Sequence, residues 1–142
     1  MLKIRVYGVP APQGSKKGFV VNGRVNMVEQ SHKKLKPWRE EISDQAAKAI
    51  DGSDPLDGHL FVDITFFMKR PASAKSRPFP NVYPDLDKMT RGVYDALKMG
   101  GLIKDDARIV QGYGRKVYAD TLEDQGCEIT VMSMAEWLEL VT

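Results

Sequence analysis

Leu2, Ile4 and Val6 alternate with Lys3, Arg5 and Tyr7, the period-two pattern of a strand with one face buried. Gly8-Val9-Pro10-Ala11-Pro12-Gln13-Gly14-Ser15 contains two prolines without N–H donors and two glycines, so it predicts a loop. Phe19-Val20-Val21, Asn22-Gly23 and Arg24-Val25-Asn26-Met27-Val28 then predict two short strands joined by a two-residue type I′ turn. The period changes at Pro37, which suits the first turn of a helix. Trp38, Ile42, Ala46, Ala49 and Ile50 recur at helical spacing until Asp51-Gly52-Ser53-Asp54-Pro55, giving a helix over 37–50. From His59 to Lys69 the row Leu60, Val62, Ile64, Phe66, Met68 alternates with Phe61, Asp63, Thr65, Phe67. Bulky apolar groups in both rows predict a central strand. Met89, Val93, Ala96 and Leu97 mark a second helix over 87–99, stopped by Gly100-Gly101. Strands over 108–118 and 126–132 and a short helix over 134–140 complete the chain.

Helices interleaved with strands and hairpin-compatible connections predict an α/β (α+β) fold, with a mixed β-sheet and a β-hairpin packed against two main helices. No internal repeat is present, and 142 residues suit one domain spanning 1–142. The segment from Arg70 to Pro84 has four prolines together with Arg70, Lys75 and Arg77, which predicts a mobile basic loop.

Composition narrows the chemistry. With 42% hydrophobic and 28% charged residues the chain is built to fold. No run approaches the roughly 20 apolar residues of a membrane span, and the N-terminus lacks an apolar targeting segment, so a cytoplasmic protein with no membrane partner is expected. A single cysteine, Cys127, excludes an internal disulfide. With only His32 and His59 beside it, any bound metal must be held by carboxylates. Residues 1–50 carry ten Lys and Arg against four Asp and Glu, and residues 51–142 eleven against fifteen. A basic half joined to an acidic half suits a phosphate-rich partner plus a cation, although chance would give the same split.

Asp85 and Asp87 frame Leu86 at the start of the second helix. In extended backbone both carboxylates point one way while Leu86 points inward. They are equally well suited to capping the helix. Asp105-Asp106 follows the same helix. About 12 residues of helix span roughly 18 Å, and the six or seven residues from Gly100 reach back about 20 Å if extended, so the two acidic pairs can meet. Three converging carboxylates would make a site for a hard cation, with Mg²⁺ its usual occupant. Thr90 and Ala96 stand where a calcium loop needs Gly and Glu, which excludes an EF-hand. Phosphate-loop and nucleophile-elbow motifs are absent as well. Arg91, four residues after Asp87 and four before Asp95, belongs either to a ladder of surface ion pairs or to a phosphate site. Lys16, Lys17, Lys33, Lys34, Lys36, Arg39, Lys69, Arg70, Lys75 and Arg77 lie mostly on loops and the start of the first helix, where phosphates are commonly contacted; solvated surface charge is the alternative. Trp38 heads an apolar stripe and reads as a core anchor more readily than as a base-stacking platform.

Pro84-Asp85-Leu86-Asp87-Lys88-Met89-Thr90-Arg91-Gly92-Val93-Tyr94-Asp95-Ala96-Leu97, followed by Gly101-Leu102-Ile103-Lys104-Asp105-Asp106-Ala107-Arg108-Ile109-Val110, resembles the RusA family of Holliday-junction resolvases. The segment from Gly8 to Ser15 is similar to that family's N-terminal segment. The resemblance implies a homodimeric, Mg²⁺-dependent endodeoxyribonuclease, with Mn²⁺ as a substitute metal, that cuts four-way DNA junctions by paired nicks on nucleoid DNA. By the same resemblance Asp85, Asp87 and Asp106 are catalytic carboxylates and metal ligands, with Asp105 a further ligand. Arg91 occupies a position that is often Lys in the family and Lys88 one that is often Asn, and Lys88 joins the residues expected to contact DNA. Arg holds a phosphate but stays protonated, so it is a poor proton donor. A DNA-binding protein without catalysis, and a nuclease for flaps or other branched DNA, are the competing expectations.

Overall fold

The computed structural model describes residues 1–14, 16–29 and 32–142, with side chains at all of these except 16–19, 26–29 and 32. Four strands, β1 (Leu2–Tyr7), β4 (Leu60–Met68), β5 (Ile109–Tyr118) and β6 (Gly126–Ser133), form one sheet in the order β1-β6-β4-β5. β6 is antiparallel to both β1 and β4, whereas β4 and β5 are parallel. A parallel pair needs a crossover, and α2 (Leu86–Met99) supplies it. The sheet is therefore mixed, as expected, and the fold is α+β.

The sequence left the strand order open, and one helix bound changes. The consecutive strands β5 and β6 do not pair, because β6 lies between β1 and β4. Cys127, Ile129 and Val131 form a fully buried row on β6, which suits a central position, while β5 is glycine-containing and exposed along much of its length and takes the edge. The first helix, α1 (His32–Ile50), starts five residues earlier than predicted and carries Pro37 inside it. Leu35, three residues before Trp38, is buried and extends the apolar stripe; this burial offsets the one intrahelical hydrogen bond that Pro37 cannot donate.

The hairpin is as predicted. β2 (Lys16–Val21) and β3 (Arg24–Glu29) form their own antiparallel pair, and Asn22 and Gly23 have φ of 51° and 75°, the two positive values a type I′ turn requires.

α1 and α2 pack on each other and cover one face of the sheet. Ile4, Val6, Val62, Ile64, Phe66, Ile129 and Val131 meet Trp38, Ile42, Ala46, Met89, Val93 and Leu97 there in a single core. Trp38 is the core anchor it was expected to be, and its buried indole Nε1 has no hydrogen-bond partner among the described residues. On the opposite face α3 (Met134–Val141) begins with a capping box between Ser133 and Glu136. It lays Trp137 flat on Phe61, with ring centroids 4.1 Å apart, and edge-on to Tyr113. Residues 70–84, expected as a mobile basic loop, have internal bonding. Arg70 Nη1 donates to the carbonyls of Ala74 (2.9 Å) and Arg77 (2.8 Å), its guanidinium lies 4.0 Å over the Tyr118 ring, and Ala74 and Pro80 are buried. No helix among the described residues is long and apolar enough to cross a membrane.

Candidate nuclease site

The chain enters α2 through Tyr83-Pro84, a cis peptide, and Asp85 sits at the N-cap position with extended backbone. Its carbonyl accepts the first helical hydrogen bond, from Met89 N at 3.1 Å, yet its carboxylate makes no capping bond. Asp87 lies in the first turn and Arg91 one turn further on; all three side chains are exposed, and none makes a hydrogen bond or ion pair with the described residues. Neither everyday use of these residues, helix capping or the i,i+4 ion-pair ladder, is therefore realised. Leu86 turns inward against the core, as the alternation required.

The loop carrying Asp85 is held from below. Lys116 Nζ donates to the carbonyls of Val82 (2.8 Å) and Pro84 (2.9 Å), spanning the turn immediately before Asp85. Lys116 was not legible in the sequence, where a lysine in strand alternation looks like any solvent-facing residue. It projects on the α2 side of β5, in register with buried Phe66.

Gly112 and Gly114 let the helix approach β5. A Cβ on Gly112 would meet Tyr94 Oη at 2.7 Å, and one on Gly114 would meet Leu86 and Thr90 at 3.4 Å. Beside this contact runs an open groove of about 580 Å³, lined by Leu86, Asp87, Thr90, Arg91, Tyr94 and Gly114. Burial pushes the Tyr94 hydroxyl above its ordinary pKa, so it stays a neutral donor at the groove wall.

The second acidic pair lies at the other end of the helix. Asp105 pairs with Lys98 at 3.1 Å, and Asp106 opens a short 3-10 turn, Asp106–Arg108. The hydrogen bond between the two carboxyl groups holds the Asp106 proton, and partial loss of water and the charges of Asp105 and Asp95 act in the same sense. The Asp106 pKa is raised, while Asp105, which accepts that bond and faces Lys98, is lowered.

The predicted convergence of Asp85, Asp87 and Asp106 is not made here. Among the described residues no group of three or more His, Cys, Asp or Glu is arranged to hold a metal ion. The reach-back estimate assumed an extended segment, but Leu102 and Ile103 turn into the core, and the Leu56–Ile103 bridge fixes them there. The chain length needed to return to Asp87 is consumed by this burial. The donor type nevertheless suits a hard cation, since every candidate is an exposed or half-exposed carboxylate.

The predicted DNA-contacting residues divide in the same way. Lys33, Lys34 and Lys36 are exposed on the first turns of α1, and Lys69 and Lys75 on the loop. Lys34 and Lys69 flank a cleft of about 520 Å³ against Pro10, Pro12 and the Tyr83-Pro84 step that leads into Asp85. Lys88 is half-buried. Arg39 reaches Gln13 Oε1 at 3.4 Å, and Arg77 reaches Tyr118 Oη at 3.4 Å. Arg70 is committed to its own loop, as described. The side chains of Lys16, Lys17 and His32 lie outside the described residues, and His59 is exposed at the start of β4.

Two comparisons bear on identity. The chain is 27% identical over 130 residues to the uncharacterized protein YqaN of Bacillus subtilis (strain 168), an alignment covering 84% of this chain and 89% of that one. The profile of the family described as Endodeoxyribonuclease RusA matches residues 8–132, from the Gly8 loop through α2 and Asp105-Asp106 to β6. With nearly the whole domain matched, the chain belongs to the RusA endodeoxyribonuclease family.

Proposed function

We propose that this protein resolves four-way DNA junctions as a Mg²⁺-dependent endonuclease, cutting two opposed strands by paired symmetric nicks. The observation that carries this reading is the N-terminal end of α2, where the side chains of Asp85, Asp87 and Arg91 are exposed at or near a groove and make no hydrogen bond or ion pair with the described residues.

Asp85 and Asp87 would hold the cation, and Asp106 with Asp105, which lie at the other end of α2 here, would complete the set on a rearrangement that carries them to it. Bound there, Mg²⁺, or Mn²⁺ in its place, supplies Lewis-acid polarisation of a phosphate and a water that ionises near neutral pH. Arg91 presents a planar donor fork to the scissile phosphate and offsets the charge that builds in the transition state. Lys116 keeps the Asp85 turn in place. Lys34 and Lys69 attract the backbone on either side of the cleft, with Lys33, Lys36 and Lys75 adding a salt-sensitive share of affinity. Hydrolysis leaves 5′-phosphate and 3′-hydroxyl ends. Each chain carries one such site, so two symmetric incisions call for a homodimer acting on nucleoid DNA in the cytoplasm.

The test is cleavage of a synthetic four-way junction beside a matched linear duplex and a flap, with Mg²⁺ and with EDTA, using wild type and Asp87→Asn. Paired Mg²⁺-dependent nicks made only by wild type and only on the junction are expected. Binding without cutting in any metal would make this a DNA-binding protein, and cutting of the flap alone would make it a nuclease for a different branched substrate.

A further inference from the structure

We propose that the β2–β3 hairpin is a wedge that inserts its valine tip between base pairs at the branch point of bound DNA. The inference rests on the nuclease reading above and adds to it a device that selects branched over linear DNA.

Val20 and Val25 face each other directly across the hairpin, yet they are 69% and 70% exposed; Val21, opposite the exposed Arg24, is 46% exposed. Among the described residues neither strand packs substantially on any other helix or strand. An isolated two-stranded hairpin is only marginally stable in water, and an apolar tip on one is poorly suited to solvent alone. Its charge points to the partner: the two strands carry Lys16, Lys17 and Arg24 against one acidic residue, Glu29, at the root opposite Lys16 and away from the valine tip.

The root of the hairpin lies at the candidate nuclease site. Gln13 N donates to the carbonyl of Lys88 at 3.0 Å, one residue beyond Asp87, and β2 begins three residues after Gln13. The other strand leads into α1, whose Lys33, Lys34 and Lys36 are exposed. Six strand residues reach about 20 Å, or about six base-pair steps from a phosphate held beside Asp87. Apolar side chains inserted between base steps unstack and bend DNA, and insertion is cheapest where stacking is already interrupted, as it is at a branch.

The experiment uses a junction carrying 2-aminopurine beside the branch, with the full-length protein in EDTA. Wild type should raise the fluorescence about threefold, and Asp87→Asn equally, because insertion does not require cutting. Val20→Thr/Val25→Thr retains β-branched residues and hence the hairpin, but it should lose most of the rise and about tenfold in preference for junction over duplex. An unchanged rise in the double variant, or no rise with wild type that still cuts the junction, would overturn the proposal. A fall from dimer to monomer mass in the double variant would also overturn it, assigning the valine pair to contact between two copies of the chain. If wild type neither binds nor cuts branched DNA in Mg²⁺, the nuclease reading fails first and takes the wedge with it.

Discussion

The two ends of α2 carry the same residue types in different states. At the C-terminal end Asp105 is paired with Lys98 and hydrogen-bonded to Asp106, so both carboxyl groups there have partners within the protein. At the N-terminal end Asp85, Asp87 and Arg91 are exposed and unengaged, on a turn that Lys116 holds from behind. One end is electrostatically satisfied by the fold, and the other is left to be satisfied by something that binds. Such uncompensated charge on a rigid support is what a site for an external cation and phosphate requires.

The contrast breaks most completely with Asp87→Asn. Cutting should fall on the order of a thousandfold or more, with junction affinity within about twofold and stability within about 0.5 kcal/mol of wild type. Product analysis on gels, filter binding and urea melts check the three parts. Arg91→Ala should cost on the order of a hundredfold in single-turnover rate, and Arg91→Lys should recover part of it, since a point charge replaces a donor fork.

Lys116→Met tests whether the quiet end depends on its support. Freeing the carbonyls of Val82 and Pro84 should cost about 1–2 kcal/mol in stability, measured by thermal unfolding, and roughly tenfold in cutting. The smallest effect belongs to the satisfied end. In a carbon-13 titration Asp106 should ionise above the ordinary carboxylate range and Asp105 below it. Asp105→Asn should bring Asp106 back toward normal, and saturating Mg²⁺ should lower it too if the cation reaches this pair. The signs of the stability contributions are opposite. That of Asp106 is present at low pH and lost as pH rises through its raised folded value. That of Asp105 is present above its unfolded value and lost as pH falls through its lowered one. The combined contribution of the pair is therefore greatest near the ordinary aspartate value and falls on either side of it, with the lowered Asp57 and Glu136 adding to the loss at more acid pH.

Local rules made much of this readable in advance. Asn22-Gly23 specified its turn, the alternation at Leu60–Met68 specified an interior strand, and the stripe from Met89 to Leu97 specified α2 almost to the residue. What escaped were facts of three-dimensional order. No local pattern says that β6 lies between β1 and β4, or that Leu102 and Ile103 consume the segment thought free to carry Asp106 back to Asp87. Lys116 escaped for the same reason, because its role is set by a loop more than thirty residues away. The candidate residues were thus legible as chemical types and sequence positions, whereas their division into an engaged and an unengaged group was not.

The chain contains two tryptophans, and the sheet separates them. Trp38 is sealed among the core side chains beneath α1, and Trp137 lies half-exposed on the far face, stacked on Phe61. Each face of the sheet therefore has its own optical probe, blue-shifted emission from the interior and red-shifted emission from the surface. Loosening of α3 and melting of the core can be followed separately in the unmodified protein.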